Sequence, residues 1–212
     1  RVIDYCRLNN IPLVYASSSA VYGNLEKGDD QGKIIDLVSP YAIDKYVMEL
    51  YAETANKLYQ LSSFGLRFFN VYGPRQDPTS PYSGVISIFA DRLLKEQSIT
   101  INGGYQTRDF VYVKDVVECI YHAIVLSSQQ KICEVSNILT GTSVTIDYLA
   151  DQIKDVLGVQ VEKNYKDLPS GDPEQSDGTT MKMQRLLSLD LDDLVPLKEG
   201  LKSTIQYIKN LG

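Results

Sequence analysis

The chain has 212 residues, of which 43% are hydrophobic, and this is enough apolar material for the core of one or two domains. Its net charge of -6 and its pI near 4.9 argue against a nucleic-acid partner, because no basic surface is available to neutralise phosphates. No apolar stretch reaches the roughly 18 residues of a membrane span. We therefore expect no membrane insertion, and the cytoplasm is the default location.

Residue types that hold metals are scarce and poorly spaced. Cys6, Cys119 and Cys133 lack the spacing of a metal site, and their odd number argues against a disulfide framework, so we expect reduced, mostly buried thiols. His122 is the single histidine and lies among apolar residues of a predicted helix, where a packing or surface role is expected. Histidine-dependent triads and multi-histidine metal sites are excluded, and no metal is predicted.

Strand and helix patterns alternate along the chain. A short apolar strand is predicted at 11–16, and a helix starts at Ser39 and Pro40, which have the character of an N-cap and a first helical residue, and runs to Leu58. The later predictions are strand 64–71, helix 83–96, strands 99–101 and 110–113, helix 116–126, strand 134–139, helix 146–157, a strand near 159–161, and helices from Met181 and Glu199. Such alternation predicts an α/β fold.

Two polar groups stand out at the first strand and the first long helix. The strand at 11–16 leads into Ser18 within a run of serines, and hydroxyl groups at the carboxyl end of a buried parallel strand face a ligand crevice. Tyr41 and Lys45 are four residues apart, so they share one face of the helix, with Tyr41 in its first turn. The Lys45 ammonium and the positive helix end both favour the phenolate, which accepts a proton from an alcohol.

The Tyr-x-x-x-Lys spacing alone is weak evidence, because an ordinary amphipathic helix also contains it. The serine run and the Ser-Pro helix start make the catalytic interpretation the stronger one. With two further segments, 65–75 (GLRFFNVYGPR) and 108–115 (RDFVYVKD), the chain resembles the extended short-chain dehydrogenases/reductases. Among these it is similar to the NAD-dependent nucleotide-sugar epimerases of the UDP-glucose and UDP-N-acetylglucosamine 4-epimerase kind, over essentially its whole length.

The resemblance implies the C-terminal part of a doubly wound, Rossmann-like parallel sheet with a smaller α/β substrate lobe. It assigns 1–72 and 114–140 to the NAD-binding domain, and 73–113 and 141–212 to the sugar-nucleotide lobe, so the two interleave. The Gly-rich loop that holds the cofactor pyrophosphate in these enzymes has no counterpart, since the glycine pair at 103–104 lies between two extended segments. We therefore expect these 212 residues alone to bind NAD poorly and to turn over little.

The resemblance also implies catalytic roles for single residues. By it, Tyr41 removes the proton from the 4-hydroxyl of the sugar, and Ser18 hydrogen-bonds the reacting oxygen, so that Ser18 is expected to be both catalytic and substrate-binding. Lys45 supports Tyr41 and also binds the nicotinamide ribose. The cofactor-binding residues implied by the resemblance are Ser17, Tyr41 and Lys45.

Further substrate contacts are implied by the same resemblance. Ser19 helps to hold the sugar, Asn70 lies near the sugar and the diphosphate, and Arg108 binds the diphosphate with a guanidinium fork that suits phosphate oxygens. A salt bridge from Arg108 to Asp109 or Asp115 is the alternative for that arginine.

Four positions bear on the type of reaction and the sugar. Related 4,6-dehydratases and decarboxylases carry an acid where this chain has Ser19 and Ala20, which favours simple epimerisation. Ser176, four residues after Asp172, stands at the family's contact with the C2 substituent, and its small size favours N-acetylated sugars. Pro169 replaces the family's diphosphate-gripping arginine, so the identity of the nucleotide and of the exact substrate stays open.

The sequence thus predicts NAD-dependent 4-epimerisation of a UDP-sugar. The alternatives are another nucleotide-sugar epimerase or reductase, such as a UDP-glucuronate epimerase, and a noncatalytic sugar-nucleotide-binding module. The family commonly forms homodimers through the tyrosine-bearing helix. Five residues of that helix form what we call the apolar face of the long helix: Met48, Leu50, Tyr51, Thr54 and Leu58. This face is either a dimer contact or part of the core.

Overall fold

A computed structural model describes residues 1–32, 34–80 and 82–211. Helices and strands alternate through these residues, as the sequence predicted. The α-helices are α1 Val2–Asn9, α2 Pro40–Tyr59, α3 Val85–Leu94, α4 Val113–Gln129, α5 Ile146–Leu157, α6 Met181–Leu187 and α7 Leu197–Lys209. The strands are β1 Leu13–Ser18, β2 Ser63–Phe68, β3 Asn70–Tyr72, β4 Ile99–Asn102, β5 Thr107–Tyr112, β6 Cys133–Ile138, β7 Ser143–Thr145 and β8 Lys163–Lys166. Two 3-10 turns occupy Ser19–Tyr22 and Leu191–Asp193.

The main sheet has the strand order β1-β2-β6, and both pairings are parallel. A second sheet has the order β3-β5-β7, in which β7 is antiparallel, and β4 pairs in parallel with β8. The predicted α/β class with a parallel sheet is therefore confirmed. Within the described residues no helix has the length and apolarity needed to cross a bilayer.

Helix α2 starts where the sequence predicted. The hydroxyl of Ser39 accepts a hydrogen bond from the Ala42 amide at 3.1 Å, and Pro40 occupies the first turn, where its missing N–H costs nothing. Small buried side chains, Ala42, Ala52 and Ala55, let the helix lie close to its neighbours. The carboxyl ends of the sheet and the start of α2 are thus held side by side.

The apolar face of the long helix is not part of the core. Met48 and Leu50 are about two-fifths exposed, Tyr51 and Leu58 are about two-thirds exposed, and Thr54 is also exposed. Of the two interpretations of this face, burial within the chain is therefore wrong. The dimer interpretation stays a prediction.

Two large apolar clusters form the core. The first contains Leu93 and Leu149 and joins α3, α5 and α7 to the second sheet and β4. The second contains Phe64 and Met183 and packs α4 and α6 on the main sheet. The division of the chain into interleaved domains stays a prediction.

Three strands differ from the sequence predictions. The strand predicted near 159–161 is wrong, because the residues that pair with β4 are the more polar Lys163–Lys166. The single strand predicted at 64–71 is two, since the chain leaves the main sheet at Phe69 and β3 joins the second sheet. The three-residue strand β7 was not predicted, and it is too short to show an alternating pattern.

Candidate active site

A serine-bearing turn follows β1 at the carboxyl end of the main sheet. The hydroxyl of Ser18 accepts a hydrogen bond from the Ala20 amide at 3.2 Å and thereby caps the 3-10 turn. Gly23 ends this turn with φ of 52°, and a Cβ atom there would overlap the carbonyl oxygen of Asp36. Only glycine fits this conformation, so the turn has one tight path from the strand into the following loop.

A cavity of about 250 Å³ opens beside this turn. The five residues that the sequence analysis assigned to the substrate all line it, although they come from four separate parts of the chain: Ser18, Ser19, Asn70, Arg108 and Ser176. Ser39, the N-cap of α2, also lines the cavity, so the helix that carries Tyr41 begins at its wall. The fold therefore brings the predicted substrate residues together around one opening.

Among the described residues that line this cavity, Arg108 is the only one with a positively charged side chain. Its side chain is largely buried and forms an ion pair with Asp172, which is about two-fifths exposed. The predicted alternative, a salt bridge to Asp109 or Asp115, is wrong. Pro169, which stands where the family has an arginine, is exposed and lies outside the described cavity lining. It therefore contributes no contact to the cavity.

Asp109 is buried behind the cavity and supports its wall. Its carboxylate accepts hydrogen bonds from the amide and hydroxyl of Thr140 and from the amide of Gly141, at 2.7 to 3.0 Å. Burial raises the pKa of Asp109 to about 6, although these hydrogen bonds lower it in part. The Asp109 carbonyl accepts from the side-chain amide of Asn70 at 3.1 Å, which orients Asn70 at the cavity.

Tyr41 and Lys45 lie on α2 as a pair. The Lys45 ammonium is 5.6 Å from the centre of the Tyr41 ring and donates to the Ala16 carbonyl of β1 at 2.9 Å. The Tyr41 side chain is 55% exposed and does not belong to the described cavity lining. The helix therefore presents an accessible phenol, with a cation beside it, next to the carboxyl end of β1.

Ser17 has a different environment from Ser18 and Ser19. Its side chain is buried, and its hydroxyl donates to the carboxylate of Glu49 on α2, away from the cavity lining. The cofactor role assigned to Ser17 stays a prediction. Sequence reasoning missed Glu49 and its partner Arg67, although an arginine inside the apolar run of β2 was a signal that a buried acid would be needed.

The cysteines and acids of the described residues do not form a metal site. No group of three His, Cys, Asp or Glu side chains within the described ranges is arranged to hold an ion. The cysteines are free thiols, of which Cys6 and Cys119 are buried. Burial raises the pKa of Cys119 to about 12, so this thiol is a packing group.

The residues present fit one end of NAD. Tyr41 and Lys45, exposed or half-buried beside the carboxyl end of β1, would suit a nicotinamide and its ribose. In the described chain no glycine-rich turn leads from a strand into a helix, where a pyrophosphate would bind; the Gly103 and Gly104 pair connects β4 to β5 instead.

A parallel sheet, serines at the end of one strand and a Tyr-x-x-x-Lys motif on the next α-helix of the chain define a Rossmann-like dinucleotide-dependent enzyme of the short-chain dehydrogenase/reductase class. Comparison with protein families agrees. The family model described as the NAD dependent epimerase/dehydratase family matches residues 1–138. The chain belongs to this family, and its cofactor is NAD.

Individual relatives carry epimerase names. A protein of Methanocaldococcus jannaschii, "Putative UDP-glucose 4-epimerase", is 39% identical over 201 residues, which are 93% of this chain and 63% of that protein. The UDP-N-acetylglucosamine 4-epimerase of Methanobrevibacter ruminantium, solved with UDP-N-acetylmuramic acid, has a TM-score of 0.89 and 34% identity, with 100% of this chain and 67% of that one covered. The UDP-glucose 4-epimerase of Thermus thermophilus, solved with NAD, has a TM-score of 0.86 and 29% identity, with 100% and 68% covered. The chain thus spans about two thirds of the length of these proteins.

Proposed function

We propose that the protein containing these residues inverts the configuration at C4 of a UDP-sugar through a transient 4-keto sugar. The observation that carries the proposal is the cavity at the carboxyl end of the main sheet, where hydroxyl, amide and guanidinium groups from four parts of the chain meet. Tyr41 and Lys45 stand at the start of the helix that borders it. The names of the relatives support the reaction class.

The proton is handled by Tyr41. Its phenolate takes the proton of the 4-hydroxyl, and the same group returns it when the new alcohol forms. The Lys45 ammonium lies 5.6 Å from the ring centre and so places a positive charge beside the reacting phenol. NAD, held at its nicotinamide end by Tyr41 and Lys45, would supply the hydride chemistry at C4. Ser18 donates a hydrogen bond to the oxygen at C4 and so holds it in place between the two half-reactions.

Arg108 is the proposed diphosphate ligand. Its guanidinium is buried at the cavity wall and already faces a carboxylate, Asp172, which is about two-fifths exposed. A diphosphate carries more negative charge than one carboxylate, so we expect the substrate to replace Asp172 as the partner of Arg108. Ser19 and Asn70, on the same cavity, complete the contacts to the sugar and the diphosphate.

Two features bear on the sugar and the reaction. Ser176 is small and lines the cavity, which leaves room for an N-acetyl group at C2. Ser19 and Ala20 provide no acid next to Ser18, and elimination reactions need one for proton transfer beyond C4. We therefore propose epimerisation with acceptance of N-acetylated sugars. The alternative substrate is a UDP-sugar with an oxidised C6 group, such as UDP-glucuronate.

The test is proton NMR of the anomeric signals of UDP-N-acetylglucosamine, UDP-glucose and UDP-glucuronate, each incubated with NAD and the protein expressed from its complete gene. We expect galacto-configured signals to grow, fastest from UDP-N-acetylglucosamine. Conversion of UDP-glucuronate alone would replace the substrate assignment. Unchanged spectra in all three samples, together with tight binding of a UDP-sugar in the absence of NAD, would support the noncatalytic binding module.

The 212 residues tested alone should behave differently. The pyrophosphate of NAD finds no glycine-rich turn in the described chain, so calorimetric titration should give weak binding of NAD. Tight binding of NAD by these 212 residues would contradict this expectation.

We further propose a cytoplasmic homodimer. The apolar face of the long helix is exposed over several turns, which suits a helix-to-helix contact with a second copy, and free thiols suit a reducing compartment. Replacing Leu58, about two-thirds exposed, with Glu should shift the mass measured by light scattering from dimer to monomer. An unchanged mass would place any dimer contact on another face.

A further inference from the structure

A row of buried polar side chains crosses the main sheet one residue before the strands end. Ser17, Arg67 and Asn137 are register partners on β1, β2 and β6, and their exposed fractions are 2%, 6% and 0%. Buried polar groups in the middle of a sheet cost free energy unless they are paired, so the row needs partners. Those partners come from the elements that carry the proposed catalytic residues.

The first partner is Glu49 on α2. Its carboxylate accepts two hydrogen bonds from the Arg67 guanidinium, at 2.9 and 2.6 Å, and a third from the Ser17 hydroxyl. Glu49 lies one helical turn beyond Lys45 and two turns beyond Tyr41. A bidentate pair of this kind fixes direction as well as distance, so it sets how α2 lies on the sheet.

The second partner is Tyr22 in the serine-bearing turn. Its hydroxyl accepts from Arg67 at 2.7 Å and donates to the side-chain oxygen of Asn137 at 2.7 Å. Burial raises the pKa of Tyr22 to about 12, so the hydroxyl keeps its proton and its donor role. One guanidinium therefore holds both the helix of Tyr41 and the turn that contains Ser19.

Stability alone is a weak reason for this arrangement. Ion pairs buried to this degree lose most of their Coulombic gain to desolvation, and apolar replacements of similar volume are often neutral or stabilising. What an apolar replacement does not provide is a fixed distance between two separate elements.

We propose that Arg67, together with Glu49 and Tyr22, is a positioning group that sets the distance and orientation between Tyr41 and Lys45 on α2 and Ser18, which ends β1 and caps the turn. The inference rests on the proposed function for its kinetic consequences. Its structural part concerns the chain without any ligand, and the two parts are tested separately.

The structural test uses carbon-13-labelled alanine methyl groups in the unligated protein. Ala20 reports on the serine turn and Ala42 on the start of α2, while Ala90 and Ala150, in α3 and α5, are internal references. In Arg67→Lys we expect the signals of Ala20 and Ala42 to shift or broaden and those of the references to stay. Unchanged signals of both reporters would overturn the proposal whether or not the protein is an epimerase.

The kinetic test compares three variants in the protein expressed from its complete gene. In Arg67→Lys and in Tyr22→Phe, which keeps the ion pair, we expect kcat to fall about 10- to 100-fold with little change in KM, since a displacement of about 1 Å costs rate of this order. The double variant Glu49→Leu with Arg67→Met should unfold at a temperature near that of the parent protein and still have a low kcat.

The matched control is Lys57→Gln, which breaks an exposed ion pair with Glu53 on the same helix and should change neither spectra nor kcat. Recovery of kcat in the double variant along with its stability would assign the network a merely structural role. A parent protein that turns over no UDP-sugar would reject the proposed function, and the alanine spectra would still decide on the positioning.

Discussion

The carboxyl end of the main sheet and the interior of the first apolar cluster, around α3, α5 and α7, bury opposite kinds of side chain. At the sheet, Arg67 and Asn137 are buried and make several directed hydrogen bonds each. Around α5, residues such as Leu149, Ile153 and Leu93 are fully buried and purely apolar. Apolar packing stabilises without fixing directions, whereas hydrogen-bonded charges fix directions at a desolvation cost. The difference indicates that the buried side chains at the sheet end fix the positions of neighbouring elements, whereas those around α5 stabilise the fold.

The largest effect is expected at the sheet end. Tyr41→Phe removes the group that takes the proton, and kcat should fall about 100- to 10,000-fold. Because Tyr41 is 55% exposed, the midpoint of thermal unfolding should stay within a few degrees of that of the parent protein. The epimerisation rate measures the change in kcat, and a thermal unfolding curve measures the midpoint. A fully active Tyr41→Phe variant would remove the basis for the proposed mechanism.

The opposite pattern is expected around α5. Leu149 is fully buried, so Leu149→Ala should lower the free energy of unfolding by about 2 to 5 kcal/mol through lost burial and a cavity. The molecules that remain folded should keep their rate per molecule. Urea denaturation measures the change, and Asp155→Ala at an exposed position of the same helix is the control. A loss below about 1 kcal/mol would contradict the assignment of this region to stability.

Asp109 connects the two regions, because it lies on β5 and its carboxylate holds the loop that follows β6. Burial raises the pKa of Asp109 from 3.8 to about 6, so the folded state binds this proton more tightly than the unfolded state does. The free energy of unfolding should therefore decrease between about pH 4 and pH 6, by up to about 3 kcal/mol from this group.

Urea denaturation across this pH range should show the decrease in the parent protein and a smaller one in Asp109→Asn, which has no carboxyl group to titrate. Asp155→Asn, at an exposed position of α5, is the matched control. Identical pH profiles for the parent protein and Asp109→Asn would show that the three hydrogen bonds to this carboxylate outweigh its burial.

The smallest effect concerns selectivity. Ser176 lines the cavity, and Ser176→Tyr should occupy the space proposed for a C2 substituent. We expect the ratio of the kcat/KM for UDP-N-acetylglucosamine to that for UDP-glucose to fall about 10- to 100-fold, with the UDP-glucose rate little changed. Ser176→Ala serves as the control of small volume. An unchanged ratio in Ser176→Tyr would show that Ser176 does not contribute to the choice between the two sugars.

Much of the fold follows from local patterns. The Ser39 cap and Pro40 predicted the start of α2 to the residue, and the predicted bounds of α5 agree with the observed Ile146–Leu157. In these segments capping chemistry and apolar periodicity indicate the same element. The prediction of a strand near 159–161 was wrong because β4 pairs with the polar segment Lys163–Lys166 instead. This pairing depends on contacts between distant parts of the chain.

The sequence by itself determined the class of the protein, because the serine run, the Tyr-x-x-x-Lys helix and the two later motifs are each readable from neighbouring residues. Only the tertiary structure decided that Arg108 pairs with Asp172 and that Arg67 joins Glu49 to Tyr22. The partners in these contacts are 18 to 64 residues apart. Local propensities carry no information over such separations, whereas the packing of α2, the serine-bearing turn and the loop of Asp172 against the strands brings these side chains together.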